Sequence, residues 1–132
     1  DEFSSNYPYS ILVAEDNMVN QNVLKSLLRK IGYEAEYACN GKEVLEALEY
    51  KNYDIIFMDI QMPEMSGREA TKILRKRSLG GNPYIIALTA NAFESDKRGC
   101  FEVGMNDFLT KPVSLTSIKL ALAKTFENKD VA

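Results

Sequence analysis

Five short apolar runs, beginning near residues 11, 34, 54, 84 and 107, are each followed by a stretch with apolar residues at helical spacing. This alternation constrains the fold more than any other feature of the chain. Short strands separated by whole helices cannot pair as hairpins; they must be joined by crossovers, which run right-handed and leave a parallel sheet with helices on both faces. Ser10–Ala14, Asp54–Met58 and Tyr84–Leu88 are apolar almost throughout, as strands buried on both faces are. Glu34–Ala38 alternates polar and apolar residues, as an edge strand would, and Asp107–Thr110 is a short fifth strand.

The intervening stretches carry helix signals. Val19, Val23, Leu24, Leu27, Leu28 and Ile31 form one stripe, stopped by Gly32. Asn40 with Glu43 resembles a capping box ahead of Val44, Leu45 and Leu48, and Ser66 with Glu69 another ahead of Ala70, Ile73 and Leu74. Ser114 caps a last helix bearing Leu115, Ile118, Leu122 and Phe126. The helix spanning residues 93–103 is the weakest, because its stripe is thin and Gly99 costs about 1 kcal/mol relative to Ala. Five such units predict an α/β fold, the flavodoxin-like (βα)5 doubly wound parallel sheet with strand order 2-1-3-4-5.

At 132 residues, with 45% hydrophobic, the chain has enough material for one domain with a core. A net charge of −3 without a basic block argues against nucleic-acid binding. No apolar run approaches the roughly 20 residues of a membrane span, so no direct membrane contact is expected. Histidine is absent, which excludes histidine metal sites, histidine bases and a phosphohistidine on this chain. Residues 1–9 read as a linker or cloning remnant and 128–132 as a tail; the start at Asp1 predicts a piece of something longer. Cys39 and Cys100 fall on elements too far apart for a disulfide, which predicts two buried, reduced thiols and a cytoplasmic setting.

The strand order makes strands 1 and 3 neighbours and so gathers chemistry at one edge. Strand 1 ends at Glu15 and Asp16, strand 3 at Asp59, strand 4 at Thr89, and strand 5 leads to Lys111. Taken alone, a carboxylate placed like Asp59 is a metal ligand, a nucleophile or an acid/base group. Three carboxylates on one edge repel and call for a cation. Mg2+ suits such oxygen ligands and leaves room for waters and a phosphate oxygen. Metal, carboxylate, lysine and hydroxyl together are the parts needed for phosphoryl transfer onto a carboxylate.

At these positions the chain closely resembles the receiver domains of two-component signalling. The resemblance runs from about Ile11 to Phe126 and rests on ILVAEDN at 11–17, MDIQMPEMSG at 58–67, LTANA at 88–92 and FLTKP at 108–112. It implies a receiver domain over 10–127 with Asp59 as phospho-acceptor. Glu15 and Asp16, with Asp59 and the backbone carbonyl of Gln61, would hold Mg2+ or Mn2+. Lys111 and Thr89 would act on the phosphoryl group, Thr89 and Phe108 would form the switch, and Pro112 would follow a cis peptide. The domain would catalyse its own phosphorylation and dephosphorylation, with Gln61 and Asn91 within reach of the attacking water.

EDN followed by Asn20-Gln21, with the later LTANA, looks like the receivers of hybrid sensor histidine kinases. The partner would then be a phosphohistidine donor or acceptor, on a histidine kinase or a histidine phosphotransfer domain, and the setting cytoplasmic, either free or beneath a membrane-bound kinase. Met18, Pro112 and Val113 suggest an apolar rim for a partner helix. Three rival readings remain. A haloacid-dehalogenase-like phosphatase would need a second Asp where Gln61 stands. A flavodoxin-like binding domain would need a phosphate-cradling loop where Glu15-Asp16-Asn17 stands. The last is a receiver-like docking module that takes no phosphate.

Overall fold

The computed structural model describes residue 5, residues 7–90 and residues 93–131, with side chains up to residue 127. Five parallel strands, β1 (Ile11–Ala14), β2 (Glu36–Ala38), β3 (Ile55–Asp59), β4 (Tyr84–Thr89) and β5 (Asp107–Thr110), lie in the order β2-β1-β3-β4-β5. Among the described residues five helices connect or follow them: α1 (Met18–Lys30), α2 (Gly41–Tyr50), α3 (Gly67–Arg77), α4 (Glu94–Glu102) and α5 (Leu115–Val131). This is the doubly wound order anticipated from the alternation.

Alternate residues of a strand point to opposite faces, which divides the interior in two. Ile11, Val13, Ile55, Phe57, Ile86 and Leu88 pack under α1 and α5 against Leu24, Leu28, Ile118 and Leu122. Leu12, Ala14, Ile56, Met58, Ile85 and Ala87 pack on the other face against Val44, Leu48, Ala70, Leu74 and Cys100, which α2, α3 and α4 supply. Every residue of β1, β3 and β4 is buried. Those three strands are fixed from both sides.

The caps sit where the sequence signals place them. Asn17 accepts from Asn20 N at 3.0 Å, Asn40 from Glu43 N at 2.9 Å, and Ser114 from Ser117 N at 3.1 Å. Ser66 and Glu69 form a complete capping box. Glu43 instead turns its carboxylate to Cys39 N, at 2.8 Å.

Several local expectations are corrected. β2 begins at Glu36 rather than Glu34, so Cys39 lies past the strand and is exposed; only Cys100 is buried. In α1, Val19 and Val23 are also exposed, at 69% and 46%, despite their helical spacing. Between α3 and β4 the chain makes a 3-10 turn, Leu79–Gly81. α5 runs to Val131, through most of the expected tail. Tyr7 and Tyr9, in the expected linker, lie against the domain: Tyr33 donates its hydroxyl to the Tyr7 carbonyl, and the Tyr7 ring stands edge-on to Phe126 with centroids 5.1 Å apart. Among the described residues no helix is long and apolar enough to cross a membrane.

Candidate functional site

Because Ala14 is in register with Met58, the residues that follow β1 and end β3 emerge side by side at the carboxyl edge of the sheet. Glu15 is 1% exposed and Asp59 5% exposed, while Asp16 faces solvent. One carboxylate oxygen from each of the three lies within 4.8 Å of the others. The turn after β1 is fixed by its own amides: Asn17 N donates to Glu15 Oε1 at 3.2 Å, and Gln21 Nε2 donates to the Glu15 carbonyl at 2.5 Å. On β3, Gln61 N donates to Asp59 Oδ1 at 3.0 Å.

Lys111 answers the repulsion between the buried acids. Its Nζ is 2.7 Å from Asp59 Oδ2 and 3.0 Å from Glu15 Oε2. Burial is the largest influence on Glu15 and raises its pKa; Lys111 pulls the other way, and the neighbouring Asp59 raises it further. Burial alone would lower the Lys111 pKa, but hydrogen bonds and charge from Asp59 and Glu15 outweigh it, so the ammonium is held above its usual value. Three clustered oxygen donors of this kind fit a hard divalent cation better than they fit one another.

Thr89 ends β4, 3% exposed, and lines a cavity of about 90 Å3 together with Asp59, Gln61, Asp96 and Lys111. Phe108 lies on β5 opposite Ala87 and is half-buried. Its ring centroid is 4.4 Å from Lys97 Nζ and 6.4 Å from the Phe101 ring, which stands edge-on. The Lys111–Pro112 peptide is cis. Asn91 lies outside the described residues.

A second, larger cavity of about 270 Å3 opens between α1 and the chain after β5, lined by Val23, Leu24, Leu88, Pro112 and Val113, with Glu15 and Lys111 also in its wall. Met18, 63% exposed, and Val19 stand on the same helix. The apolar residues expected to form a rim are therefore exposed or lining a cleft next to the acids.

Reading the sequence missed the groups that hold this site in place. Asn17, Asn20 and Gln21 brace Glu15 through side-chain and backbone contacts visible only in the folded turn. Gly67, the first residue of α3, allows that helix to touch β3: a Cβ there would stand 2.2 Å from the Asp59 carbonyl oxygen. A signal for it existed, since glycine inside a helix start with no turn to make points to a close approach. Asp96 had no such signal.

Residues 11–123 match the family model described as "Response regulator receiver domain". The chain is 43% identical over 126 residues to hybrid signal transduction histidine kinase K of Dictyostelium discoideum, covering 90% of this chain and 10% of that protein. It is 44% identical over 120 residues to the osmosensing histidine protein kinase SLN1 of Saccharomyces cerevisiae, covering 86% and 10%. It thus spans about a tenth of these curated relatives. Among solved structures, the receiver domain of the sensor histidine kinase PA1611 from Pseudomonas aeruginosa, with a magnesium ion coordinated in its active-site cleft, is 38% identical with a TM-score of 0.80, covering 88% of this chain and 95% of that one. A chain of the co-crystal structure of the Saccharomyces cerevisiae phosphotransfer protein Ypd1 with the receiver domain of Ssk1 is 35% identical with a TM-score of 0.78, covering 87% and 86%. With the family matched over nearly the whole sheet and its helices, the chain belongs to the response regulator receiver domains.

Proposed function

We propose that this chain is the phospho-accepting receiver of a two-component phosphorelay, spanning 10–127, and that Asp59 takes the phosphoryl group from a phosphohistidine. The observation that carries this reading is the meeting of Asp59, Glu15 and Asp16 within 4.8 Å, with Lys111 2.7 Å from Asp59. An Asp59 carboxylate oxygen attacks phosphorus as the bond to the donor imidazole nitrogen breaks, and the imidazole leaves with the electron pair. Glu15, Asp16, Asp59 and the backbone carbonyl of Gln61 would hold Mg2+, or Mn2+ in its place. Bound there, the ion supplies positive charge to the phosphoryl oxygens.

Lys111 neutralises the acceptor before transfer and addresses a phosphoryl oxygen after it. Thr89 donates its hydroxyl to another oxygen by moving toward Asp59, and Phe108 fills the space vacated. Loss of the group by attack of water returns the domain to its starting state, with Gln61 in the lining of the cavity. The cleft between α1 and Pro112–Val113 suits an apolar helix of a histidine phosphotransfer domain or kinase. The similarity to hybrid kinases supports a parent of that type and a cytoplasmic setting.

Incubation with a phosphohistidine protein or acetyl phosphate and Mg2+ should give a base-labile label that Asp59→Asn reduces to background, by at least about 100-fold in rate. Undiminished label in that variant would move the acceptor elsewhere. No label in the unaltered protein, with binding to the phosphotransfer domain retained, would favour a docking module.

A further inference from the structure

The cavity beside Asp59 is lined by an acidic residue that the transfer reaction does not use. Asp96, in the first turn of α4, lines it with Asp59, Thr89 and Lys111. Its charge is partly answered by Arg68, the second residue of α3. Arg68 Nη2 is 3.5 Å from Asp96 Oδ1 and donates to the Asp96 carbonyl at 3.1 Å. The guanidinium lies against Gly99, where a Cβ would stand 3.0 Å from Arg68 Cζ, and its Nε–H is buried with no acceptor among the described residues. The two side chains are 36% and 31% exposed. Ion pairs that exposed contribute little to stability. The place of Asp96 at the wall of the Asp59 cavity, with Arg68 against it, matters more than the pair's share in the fold.

We propose that Asp96 and Arg68 set the electrostatic barrier to anionic phosphodonors at the Asp59 cavity, Asp96 repelling the donor and Arg68 offsetting that repulsion. This rests on the reading of Asp59 as acceptor. Acetyl phosphate arrives as a dianion; an Asp59 oxygen forms the new bond to phosphorus while the bond to the acetate oxygen breaks, and acetate departs with the electron pair. Asp96 and Arg68 touch neither bond. They are specificity-determining residues that act on the approach of charge, so their effect belongs in KM and weakens with salt. One unit charge at a cavity wall, in a partly aqueous setting, changes entry of a dianion on the order of three- to fivefold.

The test is phosphorylation by acetyl phosphate with Mg2+ across a donor titration, for the unaltered chain, Asp96→Asn, Arg68→Gln and the double variant, at low and high ionic strength. Asp96→Asn should lower KM about threefold and Arg68→Gln should raise it about threefold. The double variant should return close to the unaltered value, and Arg68→Lys should behave like the unaltered chain. High salt should shrink all of these differences, and kcat should move little. Failure of the unaltered chain to label would defeat the acceptor reading itself. If it labels, and the two single variants shift KM in the same direction or either leaves it unmoved, the pair only fastens α4 to α3 and the inference is overturned.

Discussion

Helices α3 and α4 cover the same face of the sheet and meet through Arg68 and Asp96, yet they are attached in opposite ways. α3 begins with a full capping box and buries Gly67, Ala70, Thr71 and Leu74. α4 has no side-chain cap and buries only Cys100. The glycines differ likewise. Gly67 brings α3 against the main chain of Asp59, whereas Gly99 leaves room only for the far end of the Arg68 side chain. The acids therefore rest on a fixed half, β1, β3 and α3. The hydroxyl and aromatic proposed as the switch belong to a half whose helix is held mainly by polar tethers and ring contacts. A site that must keep its acids aligned and still report their occupancy is served by that inequality.

Five substitutions probe the contrast. Gly67→Ala should be the most damaging, about 4 kcal/mol by chemical denaturation, because the main-chain oxygen of Asp59 cannot yield as a side chain can. A cost under about 1 kcal/mol would mean that α3 is not fixed as described. Leu74→Ala, fully buried in α3, should lose about 3 kcal/mol. Cys100→Ala in α4 should lose about 1 kcal/mol. Equal losses would erase the difference between the helices.

Lys111→Ala should cost about 2 kcal/mol when measured with chelator, since it leaves Glu15 and Asp59 buried together without the ammonium. This figure sits below that for a sealed pair because Lys111 is 27% exposed. Mg2+ should restore more thermal stability to this variant than to the unaltered chain, as titration of the melting temperature would reveal; an equal response would separate the cation from the acids. The smallest effect belongs to Gly99→Ala. A gain of about 1 kcal/mol in helix propensity, less the displacement of Arg68, should leave about 0.5 kcal/mol of stabilisation. A loss of 1 kcal/mol or more would show the guanidinium to be rigidly seated.

The sequence made the sheet legible because buried parallel strands leave continuous apolar runs and capped helices leave Asn or Ser three residues ahead of an acid. Strand order followed from topology, and with it the meeting of Glu15, Asp16 and Asp59. Contacts made by one particular turn left no such trace. Gln21 reaches the Glu15 carbonyl, and Asp96, in the first turn of α4, lines the cavity. Neither follows from periodicity. Exposure misled in one direction: Val19 and Val23 keep helical spacing yet are exposed, and Cys39 falls one residue beyond the strand that would have covered it.

The division into a fixed and a responsive half is tested most directly by amide chemical shifts of the free protein and of its complex with beryllofluoride and Mg2+. A phosphoryl mimic on Asp59 adds charge and acceptor oxygens that the two conformations should bind unequally. Shifts should run from Asp59 through Thr89 into residues 93–110, leave the C-terminal half of α3 and the body of β1 nearly unmoved, and shrink at their far end in Thr89→Ala. Shifts confined to the loops touching Asp59, or spread equally over α3 and α4, would contradict it.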